Sequence, residues 1–237
     1  ALPWLRACGL DTRADLVLPT NGATAAMTVA LMTAAPPGST VATEMLGHHT
    51  LKALTRYLGQ KLIGLPCDDE GMLPDALRAA CRGRGIQALY LMPSGTNPMN
   101  LVMGPARRAE IVAIARAHDL PIIENDAWGP LSPDRPPPLA ALAPERVFHV
   151  TSLTKCLMPG LRLGWLVVPE AQVTAAFGRH LATNWMATAL LAEIGSRWIG
   201  DGTATRLLGL QRDALARRNR LAVQVLAGLP LRSRPNG

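Results

Sequence analysis

Residues 147–168 read VFHVTSLTKCLMPGLRLGWLVV, and this stretch determines the fold class that the sequence predicts. Two short apolar runs, residues 147–151 and 163–168, have the length and composition of buried β-strands. The loop between them carries hydroxyl and basic side chains, among them Lys155. Ligands of open α/β sheets bind beyond the carboxyl ends of the strands, so this loop is a candidate functional site.

The same alternation of short apolar runs and longer helical patterns extends in both directions from this stretch. Further strands are predicted at residues 40–43, 62–65, 88–92 and 121–124, and helices at residues 24–33, 50–58, 74–82 and 106–118. After Pro169 the pattern becomes wholly helical and finishes in a long run from about residue 203 to 226. Continuous apolar strands separated by helices predict an α/β fold with a mostly parallel sheet covered on both faces.

Composition excludes several classes of protein. The 237 residues are 49% hydrophobic and carry a formal net charge of +7, which suits a globular domain and not a disordered chain. The four cysteines lie far apart without a CxxC pair, so we expect no disulfide framework, no metal site and a cytoplasmic location. No apolar run is long enough to span a bilayer, and no secretory signal is visible, so no membrane partner is expected. The arginines are scattered and aromatics are only 4%, which disfavours direct nucleic-acid binding.

Three more loops carry polar residues beside predicted strands or helices, and each has an ordinary structural interpretation as well. In LPTNGATAAM the start of a helix could bind an anion, although Asn-Gly is also a common turn. In SGTNPMNLVMG the following proline holds Asn97 in an extended backbone, although an Asn-Pro turn is unremarkable. In IIENDAWGPL a carboxylate at Asp126 is costly to bury without a cation, although it could cap the next turn.

Lys155 follows two hydroxyl residues and lies between two apolar strands. A lysine acts as a nucleophile when it is desolvated or lies beside another cation, and Arg162 is seven residues further on. A lysine near a strand end, with hydroxyls and an arginine close by, suits a carbonyl cofactor that bears a phosphate. The alternative is a surface lysine whose stem covers apolar neighbours.

Taken together, ENDAWG, TSLTK and PGLRLGW resemble the fold-type I pyridoxal-phosphate enzymes, in particular the class I/II aminotransferases. The resemblance is strongest to the aminotransferase-like domain of MocR-type, GntR-family transcription regulators, and it covers nearly the whole chain. It implies a cofactor-binding large domain over residues 1–200. Residues 201–237 would then be a long helix leading to a small C-terminal domain that is absent or truncated here.

The resemblance also assigns roles to individual residues. It makes Lys155 the lysine that forms a Schiff base with pyridoxal 5'-phosphate, and it pairs Asp126 with the ring nitrogen. It implies that Asn97 binds the 3-oxygen of the ring. The phosphate would be held by backbone N–H groups, hydroxyls and a guanidinium from Gly22, Ala23, Thr24, Ser152, Thr154 and Arg162.

Two positions depart from the pattern of the family. His48 stands where the family usually places an aromatic residue that stacks on the cofactor ring, so we expect an imidazole to stack there. A turn of two histidines without that role is the alternative. Trp128 replaces a tyrosine that normally donates to the 3-oxygen, and its indole N–H is a donor of different reach.

These observations predict a cofactor-binding domain that senses an amino acid or amine for a transcription regulator. DNA would then be bound only through a domain outside this chain, and the family implies a homodimer. The alternative is an active aminotransferase that moves an amino group between an amino acid and a 2-oxo acid. A nucleotide-binding protein lacks support because neither GxxxxGK[ST] nor GxGxxG after a strand is present. An interaction module without cofactor is the remaining possibility.

Overall fold

A computed structural model of the chain describes residues 1–83, 85–96 and 98–229. Within these ranges there are eleven β-strands: β1 Val17–Thr20, β2 Thr40–Glu44, β3 Lys61–Leu65, β4 Cys67–Asp68, β5 Gly71–Met72, β6 Ala88–Leu91, β7 Ser94–Thr96, β8 Leu101–Val102, β9 Ile122–Asn125, β10 Val147–Ser152 and β11 Gly164–Val167. The same ranges contain nine α-helices: α1 Leu2–Ala7, α2 Ala23–Ala34, α3 Leu51–Tyr57, α4 Pro74–Gly83, α5 Pro105–Ala117, α6 Leu139–Leu142, α7 Val173–Asn184, α8 Ala189–Gly200 and α9 Thr203–Val225.

Seven strands form one sheet in the order β1-β11-β10-β9-β6-β2-β3. All neighbouring pairs are parallel except those of β11, which runs antiparallel to both β1 and β10. The connection from β10 to β11, residues 153–163, is too short for the crossover that a parallel pair needs, which accounts for the reversal. The predicted mostly parallel α/β sheet is therefore confirmed.

The core lies on both faces of this sheet. In β6 the side chains of Leu89 and Leu91 join one hydrophobic cluster, while Ala88 and Tyr90 join the cluster on the other side. This alternation follows from the two-residue period of a strand, and both faces are buried because helices cover each of them. A strand with two buried faces needs apolar residues throughout, and that explains why continuous apolar runs identified the strands.

The predicted elements agree with the structure within one residue at each end. The sequence did not predict β1, α1, α6 or the two small hairpins formed by β4 with β5 and by β7 with β8. Across the described ranges, no helix combines the length and the apolar character needed to cross a membrane.

Candidate functional site

Three loops meet at one edge of the sheet. Because β1, β9 and β10 all run in the same direction, their carboxyl ends lie together. The loops that follow them carry Asn21 and Gly22, Asp126, and Thr154 with Lys155. The fold thus brings residues 21–22 together with residues 126 and 154–155, which lie more than a hundred residues further along the chain.

The first loop passes close to Arg162. Gly22 has a φ of 82° and immediately precedes α2. A Cβ atom there would lie 3.1 Å from Nη2 of Arg162, so this close approach of backbone and guanidinium favours glycine. Arg162, whose own φ is 43°, directs Nη2 toward the carbonyl oxygen of Asn21 at 3.5 Å. The free N–H groups at the start of α2 and the guanidinium therefore face the same space, as an anion site requires.

Three buried hydroxyl groups at the end of β10 and in the loop after it lack partners among the described residues, and those of Ser152 and Thr154 belong to residues predicted for the site. Ser152 Oγ and Thr154 Oγ1 are buried, and neither makes a hydrogen bond. Buried hydroxyls are normally hydrogen-bonded, so two orphans side by side indicate an acceptor that a ligand supplies. Phosphate oxygens fit this donor set.

Lys155 lies next to Trp128. The Lys155 side chain is exposed, and its Nζ lies 4.9 Å from the centre of the half-buried Trp128 ring. This distance permits a cation–π contact. The amine is therefore held at the rim of the site and remains accessible to a ligand.

His48 is half-buried and also lines the site. Its Nδ1 lies 2.9 Å from Thr50 Oγ1, and its ring stacks on His49 with the centroids 4.8 Å apart. Burial lowers the pKa of His48 to about 4, and the charges of His49 and Lys155 add to the effect. The imidazole is consequently neutral at pH 7 and presents an uncharged flat ring.

Asp126 is fully buried at the end of β9, and its charge has a buried partner. Its Oδ2 lies 2.7 Å from Nη2 of Arg135 and 3.9 Å from Nε2 of His149. Neither carboxylate oxygen makes a hydrogen bond. Burial raises the pKa of Asp126, while Arg135 and His149 act against that effect.

Glu124 lies two residues earlier and is satisfied by its own neighbours. Backbone N–H groups of Leu139 and Ala140 donate to it at 2.7 and 3.1 Å, and His149 Nδ1 lies 3.0 Å from Oε2. Burial alone would raise the pKa of Glu124, but His149, the Leu139 amide and Arg108 outweigh burial and lower it. Glu124 therefore anchors β9 to α6 and β10, whereas Asp126 is held by its ion pair with Arg135 and makes no hydrogen bond to the described residues.

The described side chains enclose a cavity of about 180 Å³ at this edge. Of the residues predicted from the sequence, eight line it: Ala23, Thr24, His48, Trp128, Ser152, Thr154, Lys155 and Arg162. Gly22 lies against Arg162 next to the cavity, and Asp126 lies between two residues that line it. Asn97 lies outside the described residues, so its predicted contact with the 3-oxygen stays a prediction.

Sequence reasoning missed several members of the site. His49, Thr50, Asn125 and Ala127 also line the cavity, and each adjoins a predicted residue within two positions. Arg135 and His149 were missed altogether. His149 stands in the apolar run VFHV and Arg135 in the loop DRPPPL, so neither has a local pattern that connects it to Asp126.

The fold and the polar loops at its edge define a class: the large domain of fold-type I enzymes, which in general depend on pyridoxal phosphate. The family model "Aminotransferase class I and II" matches residues 7–232, and the chain belongs to that family. A crystal structure of an archaeal alanine:glyoxylate aminotransferase is similar, with a TM-score of 0.88 and 25% identity over 97% of this chain and 59% of that chain.

Proteins that regulate transcription are also similar. The uncharacterized HTH-type transcriptional regulator YdeF of Bacillus subtilis is 30% identical over 223 residues, which are 93% of this chain and 48% of the relative. The HTH-type pyridoxine biosynthesis transcriptional regulator PdxR of Corynebacterium glutamicum is 30% identical over 166 residues, or 69% of this chain and 35% of the relative. This chain spans half or less of the length of these relatives. The predicted resemblance to MocR-type regulators is confirmed.

Proposed function

We propose that the chain binds pyridoxal 5'-phosphate and is the effector-sensing part of a MocR-type transcription regulator. The observation that carries this proposal is the convergence of unpartnered polar groups on one cavity. Ser152 and Thr154 offer two buried hydroxyls and Lys155 offers an accessible amine. Asp126 lies behind the lining, between Asn125 and Ala127, with its Oδ2 paired to Arg135 and its Oδ1 without a hydrogen-bond partner among the described residues. A phosphate, a ring nitrogen and a carbonyl on one small molecule would satisfy all of them.

Each end of the cofactor has its own binding residues. The phosphate would be held by the N–H groups of Ala23 and Thr24 with the two hydroxyls, and Arg162 would supply the positive charge. The N–H of Gly22 already donates to the Thr20 carbonyl at 2.8 Å, so Gly22 would contribute the close approach of its backbone. The ring would lie between His48 and the β9 loop, with its nitrogen toward Asp126. Trp128 would donate its indole N–H to the 3-oxygen together with the amide of Asn97.

Lys155 is the residue that we assign to covalent attachment. When bound, pyridoxal phosphate supplies a carbonyl group that condenses with amines and a ring that withdraws electrons. Lys155 would hold the cofactor through Nζ, release it when an amino compound binds, and accept or donate a proton at the compound's α-carbon. Asp126 would hold a proton at the ring nitrogen.

A neighbouring cavity is where we place the rest of the amino compound. It has a volume of about 300 Å³, shares Trp128 with the cofactor site, and extends to α9. Its lining includes Arg212 and Asp213, so both signs of charge are present for an amino acid. Arg212 already donates to the carbonyl of Pro130, which orients its guanidinium along this wall.

The remaining parts of the proposal concern the whole protein. DNA would be bound through a helix-turn-helix domain outside this chain, as the names of the relatives suggest, and such a regulator would work in the cytoplasm. A homodimer fits because Arg162 is exposed in the single chain, where a second subunit would cover it. Residues 1–200 would form the large domain, and α9 would lead toward a small domain.

The test is covalent trapping of the cofactor. The sequence has only three lysines, and Lys52 and Lys61 are both exposed, so they provide matched controls. After incubation with pyridoxal phosphate, borohydride reduction and peptide mapping, we expect the label on Lys155 in the parent protein and in Lys52→Ala and Lys61→Ala. Lys155→Ala should fold and lose the label. Label retained in Lys155→Ala contradicts the assignment.

An active aminotransferase is the alternative, and the intact set of Lys155 and Asp126 supports it. A mixture of the loaded protein with one amino acid and an excess of a different 2-oxo acid, which accepts the amino group, distinguishes the two. Release of a 2-oxo acid in repeated turnovers indicates the enzyme. A spectral change without release indicates a sensor.

A further inference from the structure

Arg135 lies between β9 and α6 and reaches back to Asp126. Its side chain is 5% exposed, the Asp126 side chain is 0% exposed, and Arg135 Nη2 lies 2.7 Å from Asp126 Oδ2. The same nitrogen donates to the backbone carbonyl of Cys8 at 2.8 Å, which fixes the guanidinium in place. A buried carboxylate therefore has a buried cation in direct contact, as its charge requires.

This contact compensates charge without forming a hydrogen bond. Both oxygens of Asp126 and Nη1 of Arg135 are buried and lack hydrogen-bond partners. Oδ2 is engaged in the ion pair with Arg135, whereas Oδ1 keeps its lone pairs available. Such a carboxylate can accept a hydrogen bond from an N–H group of a ligand.

Other charged groups near Asp126 are further away or engaged elsewhere. His149 Nε2 lies 3.9 Å from Asp126, and its other nitrogen is bonded to Glu124. Arg108 lies 3.7 Å from Glu124 and donates to Ser94 and to three backbone carbonyls. Among the described side chains, Arg135 is therefore the cation in closest contact with Asp126.

Two thiols also face this carboxylate. Burial raises the pKa of Cys8 to about 12, and burial raises the pKa of Cys156 even further. Both thiols are therefore neutral at physiological pH. They add no charge that could replace Arg135.

A cation beside a carboxylate stabilises the form that has lost its proton. The cation also disfavours a proton that the carboxylate shares with a ring nitrogen, because it repels the positive charge of that proton. We propose that Arg135 is a positioning residue that keeps Asp126 an unprotonated acceptor and weakens the retention of a proton between Asp126 and the ring nitrogen of bound pyridoxal phosphate. This inference rests on the proposed function, since it places the ring against Asp126.

The consequence for the site follows from the role of that proton. The ring withdraws electrons most strongly when its nitrogen is protonated. Because Arg135 disfavours a proton at the ring nitrogen, the ring withdraws electrons less strongly. Binding of an amino compound is then favoured over its chemical conversion. Binding without conversion suits a sensor, whereas an enzyme must convert the compound that it binds.

The test uses Arg135→Met, which removes the charge, and Arg135→Lys, which retains it. In cofactor-free protein labelled with carbon-13 at the aspartate carboxyls, Asp126→Asn assigns the Asp126 signal. We expect Arg135→Met to raise the pH midpoint of this signal by roughly 1 to 3 pH units, and Arg135→Lys to stay near the parent. In loaded protein, the ring nitrogen is titrated through the nitrogen-15 chemical shift of labelled pyridoxal phosphate. The pH midpoint of this titration should also be higher in Arg135→Met than in the parent.

An unchanged or lowered midpoint in Arg135→Met overturns the proposal. If that variant does not fold, Arg135→Gln keeps N–H donors for the Cys8 carbonyl, and the same upward shift is required of it. Failure of the proposed function has a different signature. The parent protein would bind no cofactor, which removes the ring from the proposal, while the cofactor-free titration still decides whether Arg135 controls Asp126.

Discussion

The backbone of Gly129 lies directly against the carboxyl group of Asp126: a Cβ atom on Gly129 would lie 2.5 Å from Cγ of Asp126. Gly129→Ala must therefore displace the carboxylate. We expect cofactor affinity to fall roughly 10- to 100-fold, as for Asp126→Ala, because a hydrogen bond to a charged group is lost. Absorption titration measures this. The control is Gly178→Ala in α7, where nothing lies within 4 Å of the added atom and the helix should gain about 0.5–1 kcal/mol.

Ser152→Ala should change stability and binding in opposite directions. In the free protein, Ser152 Oγ is a buried group without a partner, so its removal should leave the free energy of unfolding unchanged or raise it by about 1 kcal/mol. Affinity for pyridoxal phosphate should fall about 10-fold, since a hydrogen bond to a charged phosphate is lost. Pyridoxal without phosphate is the control ligand. An equal loss for both ligands would show that Ser152 does not contact the phosphate.

Trp128 offers both a ring face and an N–H group, and two variants separate them. Lys155 Nζ lies 4.9 Å from the centre of this ring. Trp128→Phe keeps a face but removes the donor, so we expect affinity for pyridoxal phosphate to fall about 5-fold, the value of one hydrogen bond. Trp128→Ala should lose more, because the packing is lost too. Binding equal to that of the parent in both variants would show that Trp128 does not contact pyridoxal phosphate.

Glu44 should make the free energy of unfolding depend on pH. Burial raises the pKa of Glu44 to about 7, against hydrogen bonds from the Met92 amide and the Thr43 hydroxyl. The folded protein therefore favours the protonated carboxyl. The preference of the folded protein for protonated Glu44 stabilises it fully below the ordinary glutamate pKa. This contribution is lost as the pH rises to about 7, so the free energy of unfolding should fall by about 3 kcal/mol over that range.

Glu44→Gln cannot ionise, so this pH dependence should be absent in the variant. Denaturant unfolding at several pH values between 4 and 8 measures it. Glu193→Gln is the control, since Glu193 makes an exposed pair with Arg197 that contributes little. A parallel pH dependence of the parent and Glu44→Gln would show that Glu44 titrates normally.

The sheet could be predicted from the sequence because its central strands are buried on both faces. Such strands read as unbroken apolar runs, and β6 is an example. β1 was not predicted, because it lies at the sheet edge and contains Pro19 and half-exposed positions. Its place depends on pairing with β11, which is distant in sequence.

The residues that line the site could be predicted because they follow strand ends in recognisable motifs. The groups that control Asp126 could not. Arg135 meets Asp126 only because the segment after the 3₁₀ turn Gly129–Leu131 folds back, and His149 does so because β10 pairs with β9 in one register. Neither relationship has a sequence period or a fixed spacing.

The hydrogen bond from Arg135 to the Cys8 carbonyl also has a mechanical meaning. Cys8 is the C-terminal cap of α1, a short helix fixed to the body by the buried side chains of Trp4 and Leu5. One guanidinium nitrogen thus touches both the end of this helix and the carboxylate of Asp126. A pull on α1 that withdraws the Cys8 carbonyl would loosen Arg135 and alter the charge balance beneath the cofactor ring. Displacement of α1 would in this way change the protonation of Asp126 and of the ring nitrogen that it contacts.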